Sequence, residues 1–134
     1  MDDEKHNENI IEYDKDSVFQ MKMCTQKEKN KLNYYNVFLD KDYLVFCPND
    51  MGKIEPLNVK YKYLIRFIEV LIEKTDPKII HLRAMYKNEI IYFDCHLDDG
   101  KSSLIFKERV ETARNVIKDK ELNILIAYFN EFIK

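Results

Sequence analysis

The sequence predicts an α+β domain: an antiparallel sheet or partial barrel capped by a long C-terminal amphipathic helix. Three observations carry that prediction. Up to Leu97, short runs of β-branched and aromatic residues alternate with polar ones and are separated by turn residues. After Gly100 the apolar period changes from two to about 3.6, the signature of a helix lying on a sheet. A chain of 134 residues, 46% hydrophobic and 13% aromatic, is the right size for one core.

Residues 1–16 are polar and charged, with only Ile10, Ile11 and Tyr13 interrupting the run. Too little apolar surface is available to offset ordering costs of about 1–2 kcal/mol per residue, so a disordered acidic tail is expected there, followed by a single domain over 17–134. The first strand is "VFQMKM", Val18 to Met23, and the polar "TQKEKNKLN" after it reads as a loop. "YYNVFLDKDYLVFCPND" is the clearest hairpin, with strands Tyr34 to Leu39 and Tyr43 to Cys47 joined at Asp40 to Asp42 and closed by Pro48, Asn49, Asp50 and Gly52.

The stretch over residues 61–73 fits two readings. Tyr61, Leu64, Ile65, Ile68, Leu71 and Ile72 recur at helical spacing, whereas Leu64, Ile68, Val70 and Ile72 also share one face of a strand. Periodicity leans to helix; β-branched content and the need for sheet partners lean to strand. Beyond the turn at Thr75 to Lys78, "IIHLRAM" and "IIYFDCHL" alternate as two strands about a turn at Lys87 and Asn88. The last strand buries Ile91, Phe93, Cys95 and Leu97 and turns Tyr92, Asp94 and His96 outward. In the helix, Phe106, Val110, Ala113 and Ile117 form the stripe that covers the sheet, and after Glu121 the stripe changes phase to Leu122, Leu125, Ile126, Phe129, Phe132 and Ile133. Either the helix bends there or a second one begins.

The chemically suggestive stretch is "YFDCHLDDGKSS", Tyr92 to Ser103. Neighbouring strand residues point to opposite faces, so Cys95 and His96 cannot converge on one ligand or act as nucleophile and base. Asp98, Asp99 and Gly100 are expected to turn the chain into the helix, with Asp99 or Ser102 capping its free N–H groups. No metal or cofactor site is expected: ligand spacing for zinc or calcium is absent, and with only Gly52 and Gly100 no phosphate-cradling loop can form. No nucleophile elbow or zinc-hydrolase motif is found, so the chain is not expected to be an enzyme.

Lys and Arg number 22 against 24 Asp and Glu, a net charge of −2, which does not suit sequence-independent binding of nucleic acid. Cys24, Cys47 and Cys95 are odd in number and widely spaced, as expected of reduced thiols in the cytosol. No apolar run approaches the roughly 18 residues of a membrane span, and "MDDEKHNENI" resembles no targeting peptide and excludes N-myristoylation. Two surfaces remain as candidates. One is the late helical face, Leu125, Phe129 and Phe132, for a protein partner. The other is Lys22, Lys27, Lys29 and Lys31, grouped at the loop after the first strand, for a phosphoinositide or other anionic lipid at about 1 kcal/mol per lysine near the membrane. Glu28 interrupts that run and no arginine supplies a bidentate grip.

Strands with short turns followed by one long helix follow the plan of the pleckstrin-homology superfold. Taken in order, "YNVFLDKDYLVFCPND", "NVKYKYLIRFIEV", "TDPKIIHL" and "FDCHLDDGKSSLIFKERVETARNVI" resemble the C-terminal, pleckstrin-homology-like segment of the endosomal maturation defective (Ema) family, to which Transparent Testa nine belongs. The resemblance runs from about Tyr34 to Phe132. It is carried by the acidic hairpin turn, Val59 to Tyr61, the pair Asp98 and Asp99, Lys107 with Arg109, and Arg114. It implies that residues 61–73 are strand, with Ile68 to Val70 in its middle. It also implies a non-enzymatic adaptor in endosomal-lysosomal trafficking or autophagy, cytoplasmic and peripheral on endosomal or Golgi membranes. Complete members of that family begin with a long helical-repeat region that this sequence lacks. The resemblance therefore implies a tail segment or a stand-alone module, without the functions of that region.

Overall fold

The computed structural model describes residues 10–11, 17–49 and 57–133. A two-stranded ladder pairs β1 (Ile10–Ile11) with β5 (Leu57–Asn58). These two strands stand apart from the main sheet of seven: β2 (Phe19–Thr25), β3 (Asn33–Asp40), β4 (Tyr43–Pro48), β6 (Tyr61–Leu64), β7 (Glu69–Ile72), β8 (Ile79–Tyr86) and β9 (Glu89–His96). Their spatial order is β6-β4-β3-β2-β9-β8-β7, and every pairing is antiparallel. Two meanders are thus joined through β2 and β9, leaving β6 and β7 at the rims. Helix α1 (Gly100–Ile133) follows.

The two-residue turns are where the sequence places them, and they show why. Lys41 between β3 and β4 has φ of 54°, and Lys87 and Asn88 between β8 and β9 have φ of 49° and 66°. Positive φ at both Lys87 and Asn88 is the backbone of a type I′ turn, and positive φ at the first central residue alone, Lys41, is the pattern of type II′; both suit the twist of the flanking strands. Of the 1–16 segment expected to be disordered, Ile10–Ile11 is strand and the rest lies outside the described residues, as do Asp50 and Gly52 of the hairpin closure.

Residues 61–73 are neither the helix that periodicity favours nor one strand. They form β6, a 3-10 turn at Ile65–Phe67, and β7. The single strand centred on Ile68 to Val70 is corrected accordingly: Ile68 sits in the corner, where its N–H donates to the Ile65 carbonyl at 3.0 Å. The turn explains the misleading pattern, because it puts Ile65 and Ile68, three apart, both into the core.

Inward residues of the strands, among them Met21, Val37, Phe46, Ile80, Phe93 and Cys95, form one core with Phe106 and Val110 of α1. Phe46, Tyr61, Tyr63 and Phe93 interlock there, with ring centroids 5.7 to 6.4 Å apart. A smaller cluster of Phe38, Val45 and Cys47 lies on the outer face of β3 and β4, covered by Val18, Tyr43 and Val59.

The helix closes the barrel between its rims. Asp99 caps it, its Oδ1 accepting from the Ser102 backbone N–H at 2.6 Å, and that bond holds the carboxyl below its ordinary pKa. Gly100 passes so close to Pro77 that an added Cβ would lie 3.0 Å from the proline Cβ. Phe106 stacks edge-on against Phe19 at 5.1 Å. The Arg114 Nη1 donates to the Ile68 carbonyl at 2.9 Å, and Arg66 in the 3-10 turn pairs with Glu121 at 3.0 Å. Ala113 and Ile117 complete the expected stripe.

Candidate functional site

α1 is 34 residues long and unbroken, so the phase change after Glu121 marks neither a bend into a second helix nor a break. What changes is the support beneath it. Phe106 and Val110 are buried, Ala113 and Ile117 are half-buried, and every residue of 122–133 is exposed. At 1.5 Å per residue the unsupported end projects about 18 Å. Leu125, Phe129 and Phe132, the residues singled out in the sequence, are 51%, 57% and 71% exposed. Tyr128 joins Phe129 and Phe132 in an aromatic cluster, its ring centroid 5.9 Å and 5.1 Å from theirs. Only Asn123, Asn130 and Glu131 are polar in this end. A helix end that carries so much exposed apolar surface offers a face for a partner.

The four lysines separate. Lys22 is not in the loop but on β2, paired with Tyr34 and His96 in the register of the sheet, its ammonium 5.1 Å from the Tyr34 ring centroid. β2 runs to Thr25, two residues beyond the expected end, and Lys22 lies inside the expected strand and the observed one, so its grouping with the loop lysines is corrected. Lys27 lies in a 3-10 turn at Gln26–Glu28, Lys29 follows it, and Lys31 approaches Glu28 at 3.9 Å. All three are exposed. The groove lined by Lys22, about 520 Å³, is shared with Gln20, Tyr34, Asn49, His96 and Asp98, and none of the loop lysines reaches it.

Cys95 is fully buried, and burial pushes its thiol far above the ordinary value; His96, on the opposite face, is half-buried. Burial likewise raises the Cys47 thiol to about 11. These are core groups, not nucleophiles.

One cluster is not evident from the sequence. On the outer face His81 of β8 stands between two carboxylates, its Nε2 2.5 Å from Glu73 Oε2 and its Nδ1 2.8 Å from Asp94 Oδ1. Both ring nitrogens can donate only in the imidazolium, so Glu73 first, and Asp94 with it, raise the histidine pKa, while His81 lowers that of Glu73. The arrangement ties β8 to β9 and to the residue that follows β7, and it favours the charged form of the ring. Alternation in "IIHLRAM" and "IIYFDCHL" places His81 and Asp94 outward, but only the register of the strands brings them opposite each other.

No known sequence family matches the chain, and no curated protein matches it. Solved structures do. The chain is similar to a chain in the structure of the DH/PH fragment of PDZ-RhoGEF in complex with human RhoA (TM-score 0.57, 16% identity, covering 80% of this chain and 29% of that one). It is also similar to the DH/PH domains of p115-RhoGEF (TM-score 0.55, 10% identity, 73% and 29%). A third similar structure is the Ran-binding domain of the nuclear pore component NUP2 from Ashbya gossypii (TM-score 0.52, 9% identity, 73% and 94%). The chain thus spans about 29% of the length of the DH/PH structures it matches. The fold is pleckstrin-homology-like. At these identities the likeness concerns the fold alone.

Proposed function

We propose that this chain is a non-enzymatic protein-binding module that holds its partner on the exposed face of the α1 end, with Leu125, Phe129 and Phe132 as anchors. One observation carries the reading: a single helix plugs the barrel with its first half and offers an uncovered apolar surface with its second. The fold is compatible with it, since similar structures include one in complex with RhoA and one described as Ran-binding. The buried thiols and the doubly paired His81 support a non-catalytic role. The resemblance to the endosomal maturation defective family supports placing the module in endosomal-lysosomal trafficking or autophagy, on the cytosolic face of those membranes. Cross-linking mass spectrometry on the tagged chain in cells tests the docking face. Cross-links from Lys118 and Lys120 to another polypeptide are expected, and they should vanish with Phe129→Asp. Cross-links that persist in Phe129→Asp, with the fold intact, rule the surface out.

A second reading, binding of phosphoinositide or another anionic lipid, draws on the exposure of Lys27, Lys29 and Lys31 on one loop. Flotation with vesicles with and without phosphoinositide tests it. Charge reversal at Lys27 and Lys29 should abolish any flotation, and failure to float with either vesicle rejects it.

A further inference from the structure

The projecting end of α1 has a direction of its own. At 100° per residue, the buried stripe of Phe106, Val110, Ala113 and Ile117 and the later stripe of Leu122, Leu125, Phe129 and Phe132 lie about 110° apart around the helix. Asn123, Ala127, Asn130 and Glu131 gather on the side opposite the later stripe. The stripe therefore points sideways from the barrel-facing side of the helix, and no described residue covers it: all four of its residues are exposed. Its spacing of three, four and three is that of the seam between two paired helices. The seam is also ordered by size, with both leucines near the barrel and both phenylalanines at the far end.

We propose that a second copy of this chain covers the stripe, the two helical ends packing antiparallel about a two-fold axis. Leu122 then meets Phe132 of the second copy and Leu125 meets its Phe129. This deepens, and rests on, the reading of the helix end as a docking face. Three features select the arrangement. A two-fold pairing is self-complementary, and here every layer sets one leucine against one phenylalanine, so the seam has even width; a parallel pairing sets phenylalanine on phenylalanine and leucine on leucine. Ile126 and Tyr128 flank the stripe and widen the apolar contact, while Asn123, Asn130 and Glu131, with Ile124 beside them, stay in water. The antiparallel course also sends the two barrels to opposite ends of the helical pair. A seam of about 18 Å is short, and association in the micromolar range is expected.

Sedimentation velocity on the full chain provides the test. The wild-type protein should pass from monomer to dimer as its concentration rises through the micromolar range. Leu125→Glu and Phe129→Lys should each remain monomeric, because each buries two unpaired charges in a homodimer. An equimolar mixture of the two should regain the dimer, since residue 125 of one chain faces residue 129 of the other. Both sites are exposed, so melting curves of the variants should match the wild type. A wild-type protein that stays monomeric, or variants that dimerise alone, overturns the proposal; monomeric variants that do not rescue each other overturn the antiparallel register. If the purified chain is monomeric yet Lys118 and Lys120 cross-link to a different polypeptide in cells, the second copy is wrong and the docking face stands. If neither is seen, both fail.

Discussion

Replacing Phe106 by alanine measures how firmly the helix plugs the barrel. The ring is 1% exposed, lies in the main core with Val110, and meets Phe19 edge-on at 5.1 Å. Truncating a buried phenylalanine costs about 3–5 kcal/mol through lost transfer energy and the cavity left behind. The aromatic pair contributes about 0.5–1.5 kcal/mol of this beyond its area. Against a total stability of about 5–15 kcal/mol for a domain of this kind, the loss is a large fraction. At about 3–5 °C per kcal/mol for this size, the midpoint should fall by roughly 10–20 °C. Urea and thermal unfolding followed by far-ultraviolet circular dichroism read this directly. Phe132→Ala is the internal control: at 71% exposure its loss should change monomer stability by no more than about 0.5 kcal/mol. A Phe106→Ala variant within about 1 kcal/mol of wild type would refute the plug, because no well-packed core site tolerates such a truncation so cheaply.

Other outcomes follow from the polar contacts. Asp99→Ala removes the cap on the Ser102 N–H and should cost about 0.5–2 kcal/mol in the same unfolding assay; Asp99→Ser should recover most of it. The His81 cluster makes stability depend on pH. Its folded pKa is raised, so its contribution is complete below the unfolded value near 6.5 and is lost as pH rises through the folded value. Glu73, whose pKa is lowered, acts at the other end: its contribution is present above its unfolded value and fades as pH falls through the folded one. Wild-type stability should therefore decline more steeply as pH rises above about 6.5 than that of His81→Gln, and an NMR titration should place the His81 midpoint above that of a free histidine. A normal midpoint would show that the carboxylates do not hold the ring.

Much of this fold is legible in the sequence because period and turn chemistry agree. Alternation in "IIYFDCHL" assigns Ile91, Phe93, Cys95 and Leu97 to the core, and the structure buries the last three and packs a half-buried Ile91 against them. The positive-φ turns fall at Lys41 and at Lys87 and Asn88, where a polar interruption sits between two apolar runs. Residues 61–73 defeat the method for a local reason: a 3-10 turn between two four-residue strands superposes an i, i+3 repeat on strand alternation. Of the candidate sites, the helix end is legible because the stripe breaks phase at Glu121, though whether the helix also breaks is not written in the pattern. Lys22 is close to the loop lysines in sequence but belongs to the strand in both pattern and structure, where it pairs with Tyr34 and His96; nearness along the chain does not make one surface. The pairing of His81 with Glu73 and Asp94 depends on register across three strands, which a single sequence does not encode locally.

Arg114 has a bearing beyond its single bond. An open sheet ends in a margin of unpaired backbone groups, and such a margin invites a foreign strand to add itself. β7 is one such margin, and the guanidinium of Arg114 already occupies the Ile68 carbonyl at its entrance. The helix thus guards the sheet against indiscriminate extension while leaving its own far end free for contact, so that stickiness in this molecule is moved from backbone, which cannot discriminate, to side chains, which can.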